Sequence, residues 1–267
     1  MHRLCRVIGM VGVGLCVASC ATLQSALYKV LQQPTSSLKI KAADGTWVAC
    51  DVYDLKRDRV VVISPGFLQY KRSAGIWELS HVLQRDFDVI ALDYRGTGES
   101  SGTYAYTATE AADLHTVLQF AQRRWAHVGV VGISLGAAIA INELAEHPDG
   151  AQSLVTISAP MAFEAIEKRV SPQVSFTAIA EASSLIRSGN PFLTKRDPLE
   201  AISHLTLPVL FIHGGQDQVV FPRHSHLLWE RARGPTAVLN PDADVTGDGQ
   251  VNVSDYAVWW AQRGNGY

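Results

Sequence analysis

The sequence predicts an α/β fold: a mostly parallel central sheet, helices on both faces and a small helical insertion acting as a lid. Three observations carry that expectation. Short, continuous apolar runs rich in valine and isoleucine alternate along the chain with longer segments of helical period, the pattern of buried strands joined by crossover helices. One of those runs, beginning at His127, ends in Gly132-Ile133-Ser134-Leu135-Gly136 and passes directly into an alanine-rich helical stretch. The chain has 267 residues, enough for one large core of this class.

Taken in order, residues 37–42 and 47–54 read as two antiparallel strands around the turn dipeptide Asp44-Gly45. Residues 60–64 form the first fully buried strand and end in Ser64-Pro65-Gly66-Phe67. A helix is expected over 73–84 and a second buried strand over 89–93, running into the glycine-rich loop Asp93-Tyr94-Arg95-Gly96-Thr97-Gly98-Glu99-Ser100. The next helix is expected over 107–124, opened by a capping box between Thr107 and Glu110. The strand leading to Ser134 follows, with a helix to about Glu146 and a strand over 153–158. Residues 160–205 break the alternation with Pro172, Pro191 and Pro198 and are the candidate lid. A strand over 208–213, the loop His213-Gly214-Gly215-Gln216-Asp217, a helix over 223–233 and a strand over 236–239 complete the pattern.

The motif at Ser134 has a steric reason. A sharp strand-to-helix turn strains the serine backbone and brings strand and helix too close for side chains two residues away on either side, and Gly132 and Gly136 answer that demand. The hydroxyl is then presented at the carboxyl end of the sheet and the amino end of a helix, where developing negative charge is favoured.

A formal net charge of −2 and the lack of a basic block point away from nucleic acid. The first 20 residues read as an export signal: His2, Arg3 and Arg6 precede an apolar run too short to span a bilayer comfortably. That run closes with Val17-Ala18-Ser19-Cys20, which resembles the lipobox of bacterial lipoproteins. The resemblance implies cleavage before Cys20, acylation of its thiol and new amino group, and attachment to a bacterial cell-envelope membrane; the other reading is a plain secretory signal. Residues 21–36 would be the tether. Cys5 and Cys16 leave with the signal, so Cys50 is the one free thiol expected and no disulfide framework is available.

Residues 37–240 resemble the α/β-hydrolase superfamily, nearest its serine aminopeptidase and small esterase branches. Four motifs in order carry the likeness: Ser64-Pro65-Gly66-Phe67 where the family has its H-G loop, the D-x-R-G-x-G-x-S of 93–100, the elbow at Ser134, and His213-Gly214-x-x-Asp217. The resemblance implies that Ser134 is the nucleophile, that the backbone amides of Phe67 and Leu135 form the oxyanion hole, and that Asp217 orients the catalytic histidine. Small acyl esters or short peptides would be the substrates, and the chemistry requires no cofactor. His213 reads as packing, and Asp93 and Arg95 as braces of their loop.

The pattern departs from the family in one place. Histidine is due on the loop after the last strand, where this chain has Val245, and no histidine follows His226. His224 and His226, in the helix after the acid, are the candidate bases; the alternative is that they lie on a solvated helix face. The tail of 241–267 instead carries Asp244, Thr246, Asp248, Gln250, Asn252 and Asp255 at the spacing of a calcium loop, with Gly249 at its sixth position and the Gln250 carbonyl at its seventh. It resembles a single dockerin repeat, which implies Ca2+ and a calcium-dependent protein partner. Two functional classes therefore stand against one another: a membrane-anchored serine hydrolase, and a binding protein on a hydrolase frame that has lost its base. A calcium-docked adaptor is the third.

Overall fold

The computed structural model describes residues 33–163, 183–190, 193–215, 217 and 219–239. Eight strands form one sheet: β1 (Ser36–Lys41), β2 (Trp47–Tyr53), β3 (Arg59–Ser64), β4 (Asp88–Leu92), β5 (His127–Ile133), β6 (Ser153–Ile157), β7 (Val209–Ile212) and β8 (Thr236–Leu239). Their order is β1-β2-β4-β3-β5-β6-β7-β8. β1 pairs antiparallel with β2 and β2 antiparallel with β4, while every pair from β4 to β8 is parallel. The first strand pair is joined through Asp44, whose carboxylate accepts from the Thr46 amide.

The helices among the described residues are α1 (Ala74–Leu83), α2 (Ala111–Gln122), α3 (Leu135–Glu146), α4 (Pro198–Ala201) and α5 (Arg223–Arg231). Side chains alternate across the sheet. Val128 and Val130 of β5 join the core beneath α2 and α3 with Leu114, Val117, Leu118, Ile139 and Leu144. Val131, on the opposite face, joins Ile76, Leu79 and Leu83 of α1. A side chain of this size contributes about 1.5–3 kcal/mol on full burial, so the two cores fix strand register as well as stability.

The topology places a crevice. The chain leaves β3 for β4 on one side, then crosses back to β5 on the other, so β3 and β5 are neighbours whose following loops diverge. Ligands of open parallel sheets bind outside the strands' carboxyl ends at such a reversal. Ser64 pairs with Gly132 at that edge, and Ile133 with Ile157, bringing the ends of β3, β5 and β6 into line.

The expected helix over 107–124 begins later than its sequence suggests. Tyr106 and Thr107 have φ of 56° and 81°, and the helix starts at Ala111 with no side-chain cap on Glu110. Glu110 does reach back, but its carboxylate accepts from the Ala105 amide at 2.6 Å and not from Thr107. The capping-box expectation is thus corrected: left-handed residues turn the chain away before a box can close. Of the expected lid, 164–182 and 191–192 lie outside the described residues. Its described part makes short bridges from Ile186 to Thr97 and from Ser188 to Tyr104, then the short α4, where Asp197 caps the Leu199 amide at 2.8 Å. Cys20, Val245 and the expected calcium loop also lie outside the described residues. Cys50 is a buried free thiol. Among the described residues, no helix is long and apolar enough to cross a membrane.

Candidate active site

Ser134 stands between β5 and α3 with φ 50° and ψ −120°, a backbone conformation that costs a non-glycine residue about 1–3 kcal/mol. The surroundings hold it there. Its amide donates to the Ile157 carbonyl at 2.8 Å, tying the elbow to the end of β6. A Cβ on Gly132 would lie 2.4 Å from the Ala137 Cα, and one on Gly136 would lie 2.2 Å from the Ser64 carbonyl oxygen. Both contacts are with backbone, so neither can be relieved by turning a side chain. The two glycines are therefore what lets the elbow seat against β3.

The loop after β3 closes over the serine. A Cβ built on Gly66 would be 3.3 Å from the Ser134 Cβ and 3.1 Å from the Ile133 carbonyl oxygen. Gln69 fixes this loop by accepting from the Gly66 amide at 2.8 Å, and Leu68 takes φ 61°. Ser64 donates from Oγ to the Gly136 carbonyl at 2.7 Å. With its proton so used, Ser64 accepts from the Tyr94 hydroxyl, which burial raises well above its usual titration range and keeps protonated. One small hydroxyl thereby joins the loop after β3, the first turn of α3 and the end of β4. Leu135, as the first residue of α3, carries an amide with no acceptor within the helix. Phe67 follows Gly66 in the loop against Ser134, and Leu135 follows Ser134 at the start of α3; these are the two residues expected to supply oxyanion-hole amides.

An aromatic wall backs this loop. The Phe67 ring lies 6.2 Å from Tyr104 and 6.3 Å from Tyr106, and Tyr106 meets Phe163 edge-on at 6.0 Å. The Tyr104 hydroxyl is buried and has no hydrogen-bond partner among the described residues.

The glycine-rich loop after β4 is braced as expected. Asp93 accepts from the Lys71 amide at 2.7 Å, the Lys71 ammonium at 3.0 Å and the Glu99 amide at 2.8 Å. Gly98 has φ +46°, and a Cβ there would lie 2.1 Å from the Asp93 carboxylate. Arg95 makes a forked pair with Asp113 and a further ion pair with Asp44 at 2.7 Å. These carboxylates hold the loop and are occupied in doing so.

The residues expected after β7 are placed differently. One carboxylate oxygen of Asp217 accepts from the Val219 amide at 2.9 Å and the Val220 amide at 3.0 Å, and the other lies 3.6 Å from His213 Nε2. His213 is buried, with Nε2 2.6 Å from the Val220 carbonyl and Nδ1 2.6 Å from the Ser225 hydroxyl. A carbonyl can only accept, so Nε2 bears a proton, and in the neutral ring Nδ1 accepts from the Ser225 hydroxyl. Both ring nitrogens serve the loop, as the packing role expected for His213 requires. His224 is also buried, and its Nδ1 accepts from the Met161 amide at 3.2 Å. A neutral His224 is therefore protonated on Nε2, the reverse of the tautomer that a serine-activating base uses. His226 is exposed, lies tilted against Trp229 with ring centroids 5.5 Å apart and has Nε2 3.2 Å from Glu230. Among the described residues, Ser134 has no histidine partner.

Sequence reading missed Ser64's bridge, Gln69, Lys71 and Ser158, the last at φ 52° beside the elbow with its amide on the Ile212 carbonyl. Gln69 had a legible signal, a polar residue three positions after the glycine whose amide it meets. Lys71 had none, because its partner Asp93 lies 22 residues on, just past the end of β4.

The chain has the α/β-hydrolase fold, and residues 59–178 match a family model described as alpha/beta hydrolase fold. Among curated proteins, YqkD of Bacillus subtilis is 28% identical over 169 residues, 58% of this chain and 54% of its own length. The putative carbamate hydrolase RutD of Escherichia coli O157:H7 is 34% identical over 91 residues, 33% of this chain and 34% of its own. The chain thus spans about half of the first relative's length and a third of the second's. Among solved structures, an esterase of Pyrococcus furiosus superposes with a TM-score of 0.67 at 18% identity, covering 85% of this chain and 88% of that one. Est1E of Butyrivibrio proteoclasticus, bound to ferulic acid, superposes with a TM-score of 0.68 at 16% identity, covering 85% and 98%.

Proposed function

We propose that this chain is a serine hydrolase of carboxylic esters that forms an acyl-enzyme on Ser134. The observation that carries the reading is the strained Ser134 backbone held against the loop of Gly66 and Phe67, since such strain persists only where the surroundings impose it. Ser134 Oγ attacks the acyl carbon, the carbonyl oxygen becomes an oxyanion between the Phe67 and Leu135 amides, and the alkoxide leaves. Water then attacks the acyl-enzyme and releases the acid. Half-buried Phe67, backed by the buried rings of Tyr104 and Tyr106, suits an apolar acyl or aryl group. A carbamate presents the same kind of acyl carbon, and RutD's description makes it the second substrate to test.

Asp217 is the proposed acid. With no histidine on Ser134 among the described residues, the serine proton passes to water and turnover is slow. Enzymes of this chemistry that lack one triad member retain about 10³–10⁴ over the uncatalysed rate from the oxyanion hole and binding. The second reading, a binding protein that keeps the pocket without turnover, is favoured by the engagement of His213, His224 and His226 elsewhere. We further propose that Cys20 anchors the protein to a bacterial envelope membrane and that the loop of 244–255 takes Ca2+ and, through it, a protein partner.

The test is labelling of protein lacking the first 20 residues by a fluorophosphonate, with Ser134→Ala alongside and with or without calcium. Labelling confined to the chain with Ser134 supports the hydrolase. Equal absence of label from both chains sinks it and leaves the binding protein.

A further inference from the structure

The far end of α3 carries a cluster that the ester chemistry does not use. His115, on α2, places Nδ1 2.7 Å from a Glu143 carboxylate oxygen. His147, at the end of α3, places its own Nδ1 3.0 Å from the same oxygen. The two imidazole rings are 4.0 Å apart, and the three ligand atoms lie within 4.8 Å of one another. The Glu143 side chain is almost fully buried, whereas His115 and His147 are 29% and 48% exposed, so solvent reaches the cluster from the histidine side.

We propose that His115, Glu143 and His147 form a binding site for a zinc-class divalent ion that clamps α2 to α3. The donor set decides the class: two imidazoles and one carboxylate suit zinc and its neighbours, whereas calcium and magnesium require oxygen ligands. Without metal, the two Nδ1 atoms converge on one carboxylate oxygen, and an ion bound there takes the place of the hydrogens between them. Each neutral imidazole carries its proton on Nε2 instead, by exchange with solvent, and coordinates through the Nδ1 lone pair. No net proton is lost from the rings. Gln119, 3.0 Å from His115 Nε2, then turns its amide to accept from that nitrogen, fixing the tautomer as outer partners of zinc histidines do. His147, the more exposed ring, swings outward to open the pair, and water fills the fourth position.

Two features of the fold favour a cation here. The Glu143 carboxylate is almost wholly withdrawn from solvent and faces both ring nitrogens through one oxygen. The cluster also lies at the carboxyl end of α3, the negative end of the helix dipole. Ser134 caps the opposite end of this helix, about 18 Å away by helical rise over 12 residues. The ion is therefore structural: it holds the helix that carries the nucleophile and does not touch the reacting atoms.

The test uses the full chain stripped with a chelator, then titrated with Zn2+ alone, Mg2+ alone or Co2+ alone. One Zn2+ per chain should bind through this cluster, raise the midpoint of thermal unfolding by several degrees and survive excess Mg2+. Co2+ should give the visible absorption of a four-coordinate ion. His115→Ala and His147→Ala should each weaken Zn2+ binding about tenfold or more, and His226→Ala should leave it unchanged. Fluorophosphonate labelling of Ser134 should be the same in wild type, His115→Ala and His147→Ala. Zn2+ binding that survives the double variant His115→Ala/His147→Ala overturns the proposal, as does a wild-type chain that gives neither stoichiometric Zn2+ binding nor the four-coordinate cobalt spectrum. The wild-type measurement stands even if a variant does not fold.

Discussion

Around the ends of β3 and β5, side chains from distant parts of the sequence are spent on holding Ser134 and the loop above it. Ser64 bonds Gly136 and Tyr94, Gln69 bonds Gly66, and the Ser134 amide bonds the end of β6. After β7 the polar groups are as numerous, but they serve their own loop. Asp217 caps Val219 and Val220, His213 bonds Ser225 and Val220, and His224 accepts from Met161. One side is organised toward Ser134 and the other toward itself. Acyl transfer as proposed makes two demands, a positioned nucleophile and a base for its proton, and the side chains gathered around Ser134 among the described residues serve the first.

The largest expected effect breaks the first side outright. Gly136→Ala puts a methyl group 2.2 Å from the Ser64 carbonyl oxygen, and overpacking against backbone should cost about 3 kcal/mol or more. A urea unfolding midpoint close to wild type would show that the elbow does not need this close approach.

Next comes the base of the aromatic wall. Glu110 is buried, and burial lifts its carboxyl from 4.5 to about 7. The folded state therefore binds more protons than the unfolded one across that window. Stability contributed by the protonated group is full below pH 4.5 and is lost as pH rises through about 7. Glu110→Gln keeps an acceptor for the Ala105 amide and removes the charge. It should be stabilising by about 3 kcal/mol above pH 8 and nearly neutral at pH 4, read from unfolding curves at both values. Equal effects at the two pH values would remove Glu110 as the cause.

Ser64→Ala should cost about 1–3 kcal/mol, because it leaves the Gly136 carbonyl and the Tyr94 hydroxyl unpaired in the interior. It should also slow fluorophosphonate labelling, since the loop bearing the Phe67 amide loses its tie to α3. Loss of stability with an unchanged labelling rate would show that the loop is positioned without Ser64.

On the β7 side the effects should be small. Asp217→Asn retains an acceptor for Val219 and Val220, so the unfolding midpoint should shift by only about 0.5 kcal/mol. Labelling should still fall if Asp217 takes part in the chemistry, and an unchanged rate would reduce it to a loop cap. His226→Ala removes an exposed contact with Glu230 and should change neither stability, by more than about 0.5 kcal/mol, nor labelling. A marked loss of labelling would make His226 the base after all and erase the contrast between the two sides.

The sequence by itself determined what depends on near neighbours. Apolar runs of strand length gave the parallel strands, and the glycines at 132 and 136 marked the elbow because they and Ser134 share one turn. The brace around Asp93 was legible for the same reason: Gly98 and Glu99 follow it within six residues. Tertiary structure alone decided what depends on residues far apart in the chain. It set the start of α2 at Ala111, since the left-handed turn at Tyr106 and Thr107 is fixed by packing and not by the Thr107–Glu110 spacing. It chose the partners of each histidine, because a ring's tautomer follows from which donor or acceptor the fold brings to it. It also brought His115 to Glu143 across 28 residues. Local sterics act within a turn and can be read along the chain, whereas hydrogen-bond partners are selected only when the sheet and helices close around them.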